Sequence, residues 1–246
     1  MPGSLPMGCF LRRLGALAAA AALAGCGPAP APVDHDPYEE ANRANHAFNK
    51  GLDRAVLRPV SQAYGAVVPG PLRTGVSNLA NHLDLPRDMV NYLLQGRPVA
   101  AMETALRFTM NTTFGLAGLL DPATDMGLRR NSTDFGETLH VWGLGEGPYV
   151  ELPVLGPATE RDAAGKLVDF ALNPTRALSG DPATAATAAG IGSTLGDRAR
   201  YSDTIDSVLY RSADSYAQSR LLYLQSRRFE LGQTAADETF IDPYED

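Results

Sequence analysis

The sequence predicts an all-α domain, and three observations carry that prediction. Apolar residues recur at helical spacing along most of the chain from residue 36 onward. No segment alternates apolar and polar residues over the length of a half-buried strand. The chain has 246 residues, of which 44% are hydrophobic and 20% charged, so it holds enough apolar residues for a core.

The charge balance and the longest apolar runs exclude two classes of protein. Twenty-eight acidic residues against 21 basic ones give a formal net charge of −7, which is not the basic excess typical of a nucleic-acid-binding domain. No uninterrupted apolar run reaches the roughly 18–20 residues that a membrane-spanning helix needs. Any attachment to a membrane must therefore use another device.

Residues 1–25 have the layout of a lipoprotein signal peptide. Arg12 and Arg13 precede a short run rich in alanine and leucine, which ends in Leu-Ala-Gly-Cys at residues 23–26. This ending resembles the bacterial lipobox, in which the cysteine sulfur receives a diacylglyceryl group and the cysteine becomes the first residue of the mature chain. We therefore expect Cys26 to be the lipid anchor. A buried helix with an incidental cysteine is the alternative.

Residues 26–35 are predicted to form a tether. Pro28, Pro30 and Pro32 alternate with alanine, a pattern that favours an extended backbone. The residue after Cys26 is Gly27 rather than aspartate. By similarity to lipoprotein sorting in enteric bacteria, this favours the outer membrane, with the protein on its periplasmic leaflet.

The predicted helices begin directly after the tether. Asp36 as N-cap and Pro37 as the first helical residue predict a helix to about Asn49, which Gly51 and Pro59 should interrupt. A second helix is predicted by an apolar stripe at helical spacing, formed by Leu72, Val76, Leu79 and Leu83.

Pro86 should open a third helix that Gly96 closes, and Pro98 should open the longest one. One face of that longest helix consists of Val99, Met102, Leu106, Thr109 and Met110. Its other side is apolar as well, and a helix that is apolar nearly all round is buried or faces lipid.

The second half of the chain predicts further helices and a tail. Helices are expected at 134–141 and 159–171, the latter capped by Thr159. Residues 179–196 are rich in glycine, alanine and threonine and predict a loop or a weak helix. Apolar spacing from Tyr201 predicts a long helix or a broken pair, which completes a helical domain over 36–231. The acidic residues 232–246 are expected to be a flexible tail.

A loop at 142–157, rich in glycine and proline, contains the candidate site. Glycines adopt backbone angles that are closed to other residues, and prolines fix theirs. Tryptophan and tyrosine rings favour boundaries between polar and apolar surroundings. The candidate residues are Trp142, Gly143, Gly145, Gly147, Pro148 and Tyr149. A plain connector between two helices is the alternative.

The sequence holds no recognisable catalytic motif. There is no Gly-x-Ser-x-Gly elbow, no His-Glu-x-x-His pair and no cysteine after Cys26. The four histidines are interpreted as solvent or interface residues, and Asp121 and Asp125 as part of a turn rather than a metal site. We therefore expect no catalytic residue, metal or cofactor, with a lipid or cell-wall hydrolase as the less favoured class.

Several short motifs occur in an order that is specific to one family. They are Asp36-Pro37, Asn42-Arg43, Phe48-Asn49, Asn91 to Gly96, Arg107-Phe108 and, above all, Gly-x-Gly-x-Gly-Pro-Tyr-Val-x-Leu-Pro at 143–153. Together they resemble the MlaA/VacJ family of outer-membrane phospholipid-transport lipoproteins, closely over 36–172 and loosely over 201–230. One departure is the scarcity of lysine, since Lys50 and Lys166 stand against 19 arginines. A family contact that needs a pore lysine is therefore not carried over.

The resemblance implies a ring or disc of amphipathic helices in one leaflet of the outer membrane, beside a porin trimer. Mislocalised phospholipid would leave the outer leaflet through an amphipathic pore and reach a soluble periplasmic lipid carrier of the Mla type. The loop at 142–157 would border this path, and its mobility would set the opening. A lipoprotein that scaffolds porins or the envelope without moving lipid is the alternative.

Replacing the anchor cysteine tests the lipoprotein interpretation. We expect Cys26→Ala, expressed from the unchanged promoter and signal, to accumulate as an uncleaved or mislocalised precursor, because acylation is the strong membrane anchor in this sequence. Gel mobility and membrane fractionation measure the outcome. Mature-size protein that still fractionates with the outer membrane would contradict the assignment of Cys26.

Overall fold

A computed structural model describes residues 36–173 and 180–233, and the statements below refer to these two ranges. The predicted signal peptide, the anchor residue Cys26, the tether and residues 234–246 of the predicted tail lie outside the described residues.

The predicted all-α class is confirmed, with one short hairpin added. The helices are α1 Glu39–Leu52, α2 Arg58–Val67, α3 Gly70–Leu94, α4 Pro98–Thr113, α5 Pro122–Asp125, α6 Phe135–Val141, α7 Glu160–Leu172, α8 Asp181–Arg200, α9 Ser202–Asp206 and α10 Ser215–Glu230. The strands β1 Tyr149–Leu152 and β2 Gly156–Thr159 pair in antiparallel fashion, with Tyr149 opposite Thr159. One π-helical turn, Asp53–Leu57, joins α1 to α2, and another, Ser207–Arg211, follows α9. Within the described ranges no helix combines the length and apolarity that crossing a bilayer requires.

The start of α1 differs from the prediction. Tyr38, not Asp36, occupies the N-cap position, and the helix begins at Glu39. The Asp36 carboxylate instead accepts hydrogen bonds from Asn42 and from Tyr216 of α10. Gly51 lies inside α1, and Pro59 takes a first-turn position of α2, where its missing N–H costs nothing. The chain therefore runs helically from Glu39 to Val67 where an interruption was predicted.

Pro86 lies inside α3 and does not open a helix of its own. The prediction of two helices is wrong here because tertiary packing holds the second half of α3 in place. Leu85, Asp88 and Asn91 are almost fully buried beside the proline, and Asn91 donates to Asp169 of α7 at 3.0 Å.

Residues 181–200 form a regular helix of 20 residues, α8, where a loop or weak helix was predicted. Its alanines favour a helix, and close packing overrides the lower helix propensity of its glycines and threonines. A Cβ atom at Gly192 would lie only 2.7 Å from Cγ1 of Val76, so α8 approaches α3 too closely for a side chain there. The broken pair predicted from Tyr201 onward is confirmed, as α9 and α10.

Polar residues dominate the interior. Among the described residues, 21 polar or charged residues are buried against nine hydrophobic ones, whereas 28 large hydrophobic residues are exposed. A soluble domain shows the opposite preference, since charged groups are rarely buried and apolar groups are driven out of water. The structure is thus inverted relative to a water-soluble protein.

Helix α4 shows the inversion most clearly. Its outward face carries Val99 and Met102, each 71% exposed, and Leu106, which is 50% exposed. The buried face carries Arg107 and Asn111, together with Thr104 and Ala101. The predicted apolar face is confirmed and lies on the outside, whereas the prediction that the other side is also apolar is wrong, because Arg107 and Asn111 are buried there.

The buried arginines of the described ranges are paired with carboxylates. Arg107 donates to Asp121, to the carbonyl oxygen of Leu128, and to Thr124 at 2.9 Å. Arg198 of α8 binds Asp53 through two hydrogen bonds of 2.7 and 2.9 Å, and Asp206 through one of 2.7 Å. Burial raises the pKa of Asp53, but hydrogen bonds from Arg198 and Tyr210 outweigh this effect and leave the pKa below its ordinary value. Such charge-assisted bonds join helices that are far apart in sequence.

An inverted interior makes a specific prediction about stability. Arg107→Leu, which would suit an ordinary core, should destabilise this protein by about 3–5 kcal/mol, because it leaves the Asp121 carboxylate without its cation. Arg129→Leu, at an exposed arginine on the same side of the fold, should change stability by less than about 1 kcal/mol. Thermal unfolding in detergent micelles measures both. Equal effects of the two substitutions would show that the buried arginine is not a structural partner.

Candidate functional site

A cavity of about 1280 Å³ is the candidate site in the described part of the chain. This volume exceeds the roughly 300–1,000 Å³ that is usual for small-molecule pockets. Its walls come from α3, from the start of α4, from residues 130–137, from the hairpin, from α7 and from the end of α10.

One wall of the cavity is mainly apolar and is formed by α7. Ala163, Leu167 and Phe170 lie at helical spacing on this wall, and Lys166 lies among them. Leu152 of β1 and Leu155 of the hairpin turn extend the apolar surface. Leu167 and Phe170 are more than 60% exposed although they line a concave surface, so the cavity is open to the surroundings.

The other walls are polar and highly connected. Asn91 of α3 donates to Asp169, and Asp169 also accepts the backbone N–H of Phe135 at 2.9 Å. Arg130 lies 3.3 Å from Asp88, which also accepts from Arg87 at 3.0 Å. Burial raises the pKa of Asp88, although both arginines oppose the shift. The site therefore joins a hydrogen-bonded polar surface to an apolar one.

The hairpin is held against α1 by a row of asparagine side chains. Asn42, Asn45 and Asn49 lie at i, i+3 and i+7, on one face of the helix. Asn42 donates to the carbonyl oxygen of Tyr149 at 3.0 Å and accepts the N–H of Glu151 at 2.8 Å. Asn45 donates to the carbonyl oxygen of Glu151 at 2.8 Å. Asn49 likewise donates to Leu152 and accepts from Val154.

This asparagine row takes the place of a third strand. A strand of a two-stranded sheet has one unpaired edge, whose backbone groups need partners when they are buried. Here the amide groups of α1 supply both donors and acceptors to the outer edge of β1. The row thereby fixes the hairpin relative to the helix that follows the predicted tether.

A buried carboxylate lies under the same strand. Glu151 is 3% exposed and accepts from Tyr149 and from Asn49. Burial raises the pKa of Glu151, but hydrogen bonds from His46, Tyr149 and Asn49 lower it further than burial raises it. The carboxylate therefore stays charged and rigidly placed at neutral pH.

The structure places the predicted loop residues beside the cavity wall, and they are not part of its lining. Trp142 is half exposed, and its Nε1 donates to the carbonyl oxygen of Leu94 at 3.0 Å. Gly143 and Gly147 have positive φ angles of 89° and 71°, and a Cβ atom at Gly147 would lie 3.0 Å from Cβ of Glu160. Gly145 is exposed.

Pro148 and Tyr149 connect this loop to the hairpin. The carbonyl oxygen of Pro148 accepts the N–H of Glu160 at 3.0 Å. Tyr149 is 2% exposed and packs edge-on against Tyr216 and Tyr223. Its ring is therefore part of the small apolar core, not of a membrane boundary. The loop carries the hairpin whose Leu152 and Leu155 reach the cavity.

Sequence reasoning missed the cavity wall of α7. The signal was present, because Ala163, Leu167 and Phe170 follow helical spacing and one lysine interrupts the stripe. The polar walls gave no such signal. Their partners are joined by contacts such as Asn91 with Asp169, which are 78 residues apart.

His46, His82 and the aspartate Asp121 are held by contacts with other parts of the fold. His82 stacks on Phe108 with 4.6 Å between the ring centroids, and His46 lies between Ser215 and Glu151. Asp121, which the sequence places with Asp125 in a turn, accepts hydrogen bonds from Arg107 and Asn111 and caps α5. Within the described ranges, no three histidine, cysteine or acidic side chains are grouped as metal ligands would be.

Comparison with known proteins gives consistent matches. The sequence profile of the MlaA lipoprotein family matches residues 34–230. The chain is 38% identical over 200 residues to the intermembrane phospholipid transport system lipoprotein MlaA of Shigella flexneri, covering 79% of this chain and 77% of the relative. The protein of the same name from Escherichia coli K12 gives the same identity and coverage.

A solved structure shares the fold. It was described as the structural basis for maintenance of bacterial outer membrane lipid asymmetry, and it superposes with a TM-score of 0.69 at 35% identity. The match covers 80% of this chain and 99% of the solved chain. The fold, the family profile and the relatives agree, and the chain belongs to the MlaA lipoprotein family.

Proposed function

We propose that this protein is an outer-membrane lipoprotein that removes mislocalised phospholipid from the outer leaflet and passes it to a soluble periplasmic carrier. The observation that supports this most is the inverted polarity around a large cavity with both polar and apolar walls. The names of the relatives, which are phospholipid transport lipoproteins, support the same proposal.

The outward apolar face explains how such a protein rests in a membrane without crossing it. Met102, Leu116 and Phe114 are each more than 65% exposed, and apolar patches of this kind mark contact with a membrane or another protein. Helices that bury one face in the boundary of a leaflet need no spanning segment. An acylated Cys26 would hold the domain at the membrane, beside the porin trimer that the family resemblance implies.

The cavity lowers the free-energy cost of exposing acyl chains to water when a phospholipid is moved. Two acyl chains contain on the order of 30 methylene groups, so exposing them to water costs roughly 25 kcal/mol. An apolar wall that shields the chains, next to polar walls that accept the headgroup, lowers this cost along the whole route. A scaffold that moves no lipid has no need of such a cavity.

A hydrolytic activity is the less favoured alternative, although His46 lies 3.0 Å from Ser215 Oγ. The other ring nitrogen is 3.6 Å from Glu151, whose carboxylate already accepts from Tyr149 and Asn49. Asp214 is the N-cap of α10 and accepts the N–H of Ala217, so that backbone group is not available to stabilise an oxyanion. We interpret these contacts as a brace between α1, the hairpin and α10.

Deletion of the gene tests the transport proposal. We expect phospholipid in the outer leaflet to rise in intact cells, measured by its hydrolysis with added phospholipase, and to return to normal when the gene is restored. Porin trimer content, measured in the same membranes, separates the scaffold alternative. Unchanged lipid asymmetry together with a loss of porin trimers would contradict transport and favour the scaffold.

The loop that carries the hairpin is proposed to set the opening of the path. Gly145→Pro should stiffen the loop and bias the path shut or open, so that outer-leaflet phospholipid rises or asymmetry fails dominantly, while helical content is retained. Gly145→Ala is the matched control, because the φ angle of Gly145 is not among the positive ones. A folded, correctly placed Gly145→Pro protein with normal lipid asymmetry would show that the loop is only a connector.

A further inference from the structure

Of the five cationic side chains that line the cavity, four are paired with a carboxylate. Each lining arginine has a carboxylate within 4 Å, namely Arg87 with Asp88, Arg97 with Glu137, Arg130 with Asp88, and Arg227 with Asp134. The fifth cation is Lys166. Within the described ranges its Nζ donates to the carbonyl oxygen of Pro157, at 3.0 Å, and forms no ion pair.

The side chains next to Lys166 in the cavity wall are mainly apolar. Lys166 lies on the apolar wall of α7, with Ala163 and Leu167 on the same stripe and Phe170 one turn further on. Burial lowers the pKa of the Lys166 amine, and the more distant charges of Asp162 and Asp134 only partly offset this effect. A desolvated cation without a close counter-ion is stabilised by any anion that enters the cavity.

An ammonium group has three N–H donors, and Pro157 accepts one of them. The others are available to a ligand in the cavity that Lys166 lines. The neighbouring apolar side chains would suit hydrocarbon placed next to that anion. A single cation embedded in an apolar wall is complementary to an amphipathic molecule whose negative group adjoins its chains.

We propose that Lys166 is a recognition residue that binds the phosphate group of a phospholipid while Leu167 and Phe170 contact the acyl chains beside it. This inference rests on the proposed function and adds to it the part of the lipid that is recognised. The four arginines, already paired with carboxylates, belong to the polar walls that accept the rest of the headgroup.

The test compares two lipids on the purified full-length protein in nonionic detergent. Radiolabelled phosphatidylglycerol and a diacylglycerol with the same acyl chains are supplied in mixed micelles, and the lipid retained per protein is measured after gel filtration. The wild type should retain about tenfold more phosphatidylglycerol than diacylglycerol, the size expected for one charge-assisted hydrogen bond. Equal retention of the two lipids would overturn the proposal without any variant.

Substitutions assign the preference to the lysine. Lys166→Gln should lose the preference for the phosphate-bearing lipid, whereas Lys166→Arg should keep it. Arg129→Gln, which removes an exposed cation that is not part of this lining, should keep it as well. A merely structural role, through the bond to Pro157, would change retention of both lipids equally in Lys166→Gln. That result, or an unchanged preference in this variant, would overturn the assignment.

Two further outcomes separate the sources of the phosphate and the two proposals. Millimolar inorganic phosphate should not displace phosphatidylglycerol, and displacement would show that free phosphate is the ligand instead. Failure of the wild type to retain either lipid would contradict the transport proposal and this inference together. Retention with normal preference in Lys166→Gln would contradict this inference alone.

Discussion

The fold depends on an inverted distribution of polarity. Charged and amide side chains bond to each other inside, while apolar side chains face outward. Each buried charge needs a partner, because an unpaired charge in a protein interior is strongly unfavourable. Arg198 with Asp53 and Asp206, and Arg107 with Asp121, meet this need, and the pair of Arg198 with Asp53 spans 145 residues of sequence. The apolar face of α4 is then left for the surroundings. Both halves of this arrangement are favourable where a lipid or protein surface covers the outer face.

The same inverted distribution of polarity accounts for the cavity and its hairpin. A polar interior does not collapse like a hydrocarbon core, so polar walls can surround open space when their groups are bonded to each other. The asparagine row gives β1 a partner and fixes Leu152 at the cavity. Trp142 and Tyr149, which were predicted to border the path, are bonded and packed outside the lining, and we propose that their loop acts through the hairpin.

Local chemistry allowed much of the fold to be predicted. Thr159 caps α7 through the N–H of Asp162, and Asp134 caps α6, as their sequence contexts indicate. Where tertiary contacts decide, the sequence misleads. Pro86 stays inside α3, and α8 is helical, because close packing overrides local preference. The hairpin was not predicted, because its buried positions are Tyr149 and the polar Glu151 and no alternation of apolar residues marks the strand. Lys166 lies on a recognisable stripe, yet its lack of an ion pair with any described residue is visible only in three dimensions.

The most direct test of the inverted arrangement measures what surrounds its outer face. A nitroxide label at Met102 and another at the exposed, polar Glu103 of the same helix are compared by electron paramagnetic resonance in lipid bilayers. The account predicts that the label at Met102 is relaxed mainly by oxygen, which concentrates in lipid, and the label at Glu103 mainly by a water-soluble nickel complex. Equal access of the nickel complex to both positions would show that water surrounds the apolar face, and would contradict the account.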